Sequence, residues 1–198
     1  MCKTEDLCFD CTTIAKPRNV VRNFKKHTPN IGITIHFEGK LKDDEHYNLL
    51  IKKVIEYSEF HNWTFFEFQN ELKKLERVKN EEDWDYVGAT KGIQVQPHEN
   101  SEPLIFEFDK DLYVQEYCKT QFSNIETHIK IIDLLNVIEN YFSNLEIFDE
   151  GEYCETKNEI LLKEHWDNFF SAMDEAIKEN NNLQGPFKLE NGRIIDLM

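Results

Sequence analysis

The sequence predicts an α+β domain: a single antiparallel or mixed sheet of about four or five strands, with three helices packed on one face. Three observations predict it. Ile31, Ile33, Ile35 and Phe37 alternate with Gly32, Thr34, His36 and Glu38, the period of a half-buried strand. Three later stretches carry apolar residues at helical spacing. The composition, 40% hydrophobic with 15 Phe, 7 Tyr and 3 Trp in 198 residues, is that of a packed chain. A chain of this length buries roughly 70% of its unfolded surface and needs neither disulfides nor a metal to fold.

In order along the chain, residues 1–30 hold six bases against three acids, lack any sustained period and contain Pro17 and Pro29. They read as a loosely ordered N-terminal extension ahead of a single domain over 31–180, with 181–198 as a C-terminal tail. After the first strand, Gly39 to Lys42 reads as a turn. Asp43 or Asp44 then caps a helix with Tyr47, Leu50, Ile51, Val54 and Ser58 inward, ending near His61 and Asn62.

Trp63 to Phe68 is rich in strand formers, and the charged stretch from Glu71 to Asp83 reads as a helical continuation or a mobile excursion. Tyr86–Val87 and Ile93–Gln96 bracket the glycines of 88–92 as a hairpin connection would, and Leu104 to Asp109 forms the next strand. Ser123 with Glu126 and Thr156 with Glu159 have the form of capping boxes. The first opens a central helix through Ile132, Leu135 and Ile138. The second opens a helix with Leu162, Trp166, Phe169 and Met173 inward, and Leu145 to Phe148 adds a short strand between them.

Lys and Arg number 23 against 38 Asp and Glu, a net charge of −15, with −18 on the residues after the first 30. That field disfavours nucleic acid and anionic membrane and favours a basic protein partner. No apolar run approaches the roughly 20 residues of a membrane span, and the N-terminus has acids where a signal peptide has bases, so the sequence reads as cytoplasmic.

Strand parity supplies the candidate site. His36 and Glu38 share one face of their strand, and the same parity turns Glu67, Gln94, Gln96 and Glu107 away from Phe66, Phe68, Ile93, Val95, Phe106 and Phe108. The result is a polar row on the open side of the sheet, with His98 at its rim. A solvated sheet face is its ordinary meaning. Its functional meanings are two. His36, Glu38, His98 and Glu107 could form the acid/base or metal-binding cluster of a small hydrolase or metal-dependent enzyme. Alternatively Phe65, Glu67, Tyr86, Gln94 and Gln96 form a binding face with aromatic anchors.

Glu164, Asp167, Asp174 and Glu175 line the outer side of the last helix and add a second acidic surface. His128 and His165 read as core or boundary histidines. Cys2, Cys8, Cys11 and His27 could supply four zinc donors, although only Cys8 and Cys11 have the spacing of a ligand pair; no other cofactor is expected. No nucleotide-binding loop, nucleophile elbow or metalloprotease signature is present. The reading that results is a small acidic interaction module, inhibitor-like or immunity-like, that binds a basic protein.

Overall fold

The computed structural model describes residues 32–79 and 82–198, which belong to a compact unit beginning at residue 31. The expected extension and its zinc candidates Cys2, Cys8, Cys11 and His27 lie outside the described residues. The fold is mixed α+β, and its element order is β1 (Thr34–Leu41), α1 (Asp44–His61), β2 (Thr64–Leu75), β3 (Val78–Lys79), β4 (Glu82–Asp83), β5 (Tyr86–Gln96), β6 (Leu104–Phe108), β7 (Tyr113–Lys119), α2 (Ile125–Ile138), β8 (Phe142–Asp149), α3 (Tyr153–Thr156), α4 (Glu159–Glu179), β9 (Phe187–Lys188) and β10 (Ile194–Ile195).

The expected single sheet of four or five strands is not what forms. Among the described residues the strands instead make two antiparallel three-stranded sheets, β7-β1-β8 and β2-β5-β6, plus two short ribbons, β3-β4 and β9-β10. Strands β6 and β7 run side by side between the two larger sheets, with backbone bonds at their ends from Asp109 N to Tyr113 O (3.1 Å) and from Glu102 N to Lys119 O (3.0 Å). Phe37 of one sheet and Phe106 of the other close to 5.3 Å, so a common core runs beneath both.

Helices α1 and α2 cover that core. Leu50 and Val54 of α1, and Ile131, Ile132, Leu134, Leu135 and Ile138 of α2, are fully buried with Ile35, Ile93, Val95 and Phe108. Helix α4 does not join them on the strands as expected. Its Leu162 and Trp166 close on Ile33, Ile125, Ile129 and Tyr153, so it packs against α2 and the start of β1.

Local chemistry accounts for the helix ends. Asp43 Oδ1 accepts from His46 N (2.9 Å), as a cap should, and Asn62 ends α1 in the left-handed conformation. Neither expected capping box forms. Asn124 caps α2 by accepting from Thr127 N (2.8 Å), while Ser123 Oγ donates to Thr120 O and Glu126 pairs with Lys130. Asn158 caps α4, accepting from Ile160 N and Leu161 N, and Thr156 Oγ1 turns back to Glu152 O. In both places an asparagine just downstream of the Ser or Thr offers the better-placed oxygen.

Two glycines misled the strand boundaries. A Cβ at Gly39 would lie 2.5 Å from Asn144 O, and one at Gly92 would lie 1.9 Å from Phe106 O. Both are places where a neighbouring strand approaches closely, not turns, so β1 runs through to Leu41 and β5 is one continuous strand over 86–96. The charged stretch after Phe68 continues β2 to Leu75 and then forms the β3-β4 ribbon, in place of the helix or mobile excursion expected.

Candidate functional site

The side of the strands away from α1 and α2 presents the candidate surface. On the β7-β1-β8 sheet the register places Tyr117, His36 and Phe148 in one cross-strand row and Gln115, Glu38 and Glu146 in the next. Ile35 and Phe37 point into the core, so the parity expected for His36 and Glu38 holds. The His36 ring sits between Tyr117 and Phe148, 5.9 Å from each, and its Nε2 is 3.6 Å from Glu150 Oε1. Tyr117 is 38% exposed and Phe148 37%. Glu38 accepts from Tyr113 OH (2.9 Å) and Gln115 Nε2 (2.5 Å). Burial first, and then the Glu38 carboxylate, raises the Tyr113 hydroxyl well above the ordinary phenol range, which keeps it a donor.

A ribbon comes down at each end of β7. Beyond β2, Gln115 holds the backbone of Val78, accepting from its N–H and donating to its carbonyl, both at 3.0 Å. Beside it Arg77 is buried, with Nη1 donating to Asp109 Oδ2 (2.7 Å) and Nη2 to Tyr113 O (3.0 Å). Its guanidinium lies 4.9 Å from the Tyr113 ring centre, 5.6 Å from that of Tyr86 and 5.9 Å from that of Trp84.

At the other end the β9-β10 hairpin lays Arg193 over the Tyr117 ring at 4.0 Å. Arg193 Nη1 donates to Tyr117 O (2.7 Å) and Glu102 Oε2 (3.2 Å), and Nη2 to Glu116 Oε2 (2.6 Å). The tail over 181–198 is therefore draped on the body, anchored also by Ile194 N on Glu102 Oε1 (2.7 Å) and Lys119 Nζ on Asp196 (3.0 Å).

On the β2-β5-β6 sheet the parity of β2 is the reverse of that expected. Phe65 pairs with Val95 and packs against the core, and Glu67 pairs with Ile93 close enough to Tyr47 of α1 to raise its hydroxyl, after burial, to about 12. Phe66 and Phe68 face outward instead, 6.2 Å apart, with Phe66 54% exposed. A shallow hollow of about 250 Å³ is lined by Thr64, Phe65, Phe66, Gln94 and Gln96. Gln96 is committed to the following turn, donating to His98 O (2.6 Å) and Ser101 O (3.0 Å), and Tyr86 donates to Ala89 O (2.9 Å) beside Arg77.

Of the four possible catalytic groups, His36 and Glu38 stand on one strand two residues apart. Glu107 is sealed on the other sheet, accepting from Lys73 Nζ (2.6 Å) and Thr90 Oγ1 (2.6 Å), and His98 lies in the 97–103 turn with Nδ1 accepting from Asn100 N (3.1 Å). Among the described residues no three His, Cys, Asp or Glu side chains gather as a metal-binding set. Glu164, Asp167, Asp174 and Glu175 are exposed on α4, with Asp167 paired to Lys163 (2.8 Å).

One buried constellation escaped the sequence reading apart from its histidine. His128 is fully buried, with Nδ1 2.8 Å from Thr120 Oγ1 and Nε2 3.1 Å from Asp149 Oδ1, the latter contact close in distance but off the hydrogen-bond line. Burial works against ionisation of Asp149, yet His128 and the N–H groups of Cys154 and Gly151 hold its carboxyl below the usual range. Both ionisable side chains are 0% exposed, and Thr120 Oγ1 also lies within bonding distance of Ile33 O (3.1 Å), so the group braces α2 against β8.

No known protein family matches this chain, and neither a curated protein nor a solved structure matches it.

Proposed function

We propose that this chain is an acidic binding module of the inhibitor or immunity kind, and that it engages a basic protein through the open sheet face. The observation that carries the reading is the set of exposed rings on this side of the strands, Tyr117 and His36 on one sheet and Phe66 on the other. Flat aromatic rings on a rigid sheet offer contact area at little entropic cost. Phe66 and Phe68 extend the same face on the second sheet. The charge of −15 and the exposed acids of α4 support steering of such a partner. A cytoplasmic setting, expected from the sequence, goes with this reading. A catalytic use of His36, Glu38, His98 and Glu107 has no comparable support, because those groups are engaged separately.

Affinity capture at low salt with the full chain, followed by mass spectrometry and binding kinetics on the recovered partner, tests the proposal. The expected result is a basic protein whose affinity drops by about 2 kcal/mol for Phe66→Ser. Neutralising Glu164, Asp167, Asp174 and Glu175 should slow association and leave dissociation unchanged. A partner that is not basic, or one bound equally by Phe66→Ser, overturns the reading.

A further inference from the structure

We infer that the pocket formed by Glu102, Glu116 and the Tyr117 ring is a subsite for an arginine side chain of the basic partner, filled in the free chain by its own Arg193. The inference rests on the binding reading above and names the chemistry that the open face selects.

The pocket is built for a planar cation. Two carboxylates and one carbonyl accept from the fork of Arg193 while a ring lies beneath it at 4.0 Å, a combination that suits guanidinium far better than ammonium. It is also continuous with the proposed binding surface, because Tyr117 is both its floor and the first member of the Tyr117–His36–Phe148 row.

The pocket favours a cation. Glu102 is 1% exposed and Glu116 16%, and both accept from the Arg193 guanidinium. Leaving both without a positive partner is costly, so a ligand that brings its own cation displaces Arg193 best.

The segment that carries Arg193 is held chiefly by polar contacts. A two-stranded hairpin is marginal by itself, and β9-β10 buries Ile194 fully and Phe187 and Ile195 in part, with Lys188, Leu189, Glu190 and Asn191 exposed. Its other attachments are polar: Ile194 N to Glu102, Asp196 to Lys119 and Gln121, and Lys188 Nζ to Glu99 O. Replacing Arg193 by an incoming arginine conserves the charge pairs and the ring contact, so the exchange costs mainly the release of this strap. The hairpin thus acts as a competitor in cis that a lysine-rich ligand displaces poorly.

Fluorescence anisotropy of the full chain with labelled hexa-arginine and hexa-lysine peptides tests this. Arg193→Gln should bind hexa-arginine about tenfold more tightly than the wild type, since the competent state no longer has to be released, while hexa-lysine changes little. Adding Glu116→Gln should erase the gain. In the wild type, saturating hexa-arginine should speed hydrogen exchange over residues 187–195, a readout independent of any variant's folding. If hexa-arginine binds but the hairpin stays protected and Arg193→Gln gains nothing, the subsite inference falls and the open-face reading survives. If the wild type and Arg193→Gln both ignore hexa-arginine at low salt, both fall.

Discussion

Arg77 and Arg193 each pin a ribbon at one end of β7, yet they are enclosed differently. Arg77 is 2% exposed, pairs with an Asp109 that is itself 6% exposed, and is walled by the rings of Trp84, Tyr86 and Tyr113. Arg193 is 18% exposed, has one ring beneath it and rides on a hairpin whose outer residues face solvent. The difference is one of exchangeability. A cation closed in by rings from its own ribbon and its neighbour belongs to the architecture, whereas a cation lying on an open ring can be replaced by another of the same shape.

The largest effect expected from this contrast is on stability. Arg77→Met strands Asp109 in a buried setting and should cost about 3–5 kcal/mol in urea unfolding. Arg193→Gln, whose site is reached by solvent, should cost about 1–2 kcal/mol. Equal losses would erase the distinction between the two clamps.

A smaller effect, and one that sharpens the contrast, is the pH dependence around Arg193. Burial, opposed by Arg193, raises the Glu116 carboxyl above its ordinary value. Because the folded value lies above the unfolded one, this group's contribution is full below the ordinary carboxylate value and is lost as pH rises through the raised one. Unfolding curves between about pH 3 and 8 should therefore show the wild type losing ground to Glu116→Gln as pH rises through that window. Asp149 has the opposite sign. Held below its usual range after burial is offset by His128 and two backbone N–H groups, it stabilises above its ordinary value and ceases to do so as pH falls through the depressed one. Asp149→Asn should flatten that acid limb, and an unchanged limb would show that the brace is not ionic.

The smallest effect belongs to the surface outside both clamps. Phe66→Ser should change stability by no more than about 0.5 kcal/mol, since that ring is 54% exposed, while Phe65→Ser should cost clearly more. The reverse ranking would restore the parity that the sequence alone implies.

That parity shows where the sequence is legible. In α1, Asp43, Leu50, Val54 and Asn62 each do what their spacing and chemistry predict, because a helix is specified by neighbours within a few residues. His36 and Glu38 are legible for a similar reason, since Ile35 and Phe37 are unambiguous partners in alternation. In β2 the adjacent Phe65 and Phe66 satisfy either phase, and a slip of one residue exchanges the faces. Strand β7 is hidden because Glu116 stands between its inward residues Val114 and Cys118. The clamps leave no local trace at all. Arg77 meets Asp109 across 32 residues and Arg193 meets Glu102 across 91, and each base sits in a polar stretch without a period.

The three tryptophans are distributed in a way that makes the two ribbons optically distinguishable. Trp63 and Trp166 are 7% and 8% exposed within the body, whereas Trp84 is 41% exposed on the ribbon, 4.6 Å from Lys79 and 5.9 Å from Arg77. Residues 180–198 contain no indole. Intrinsic emission is thus a label-free witness of the Arg77 side and blind to the Arg193 side, and a dye attached near the C-terminus would supply the missing colour.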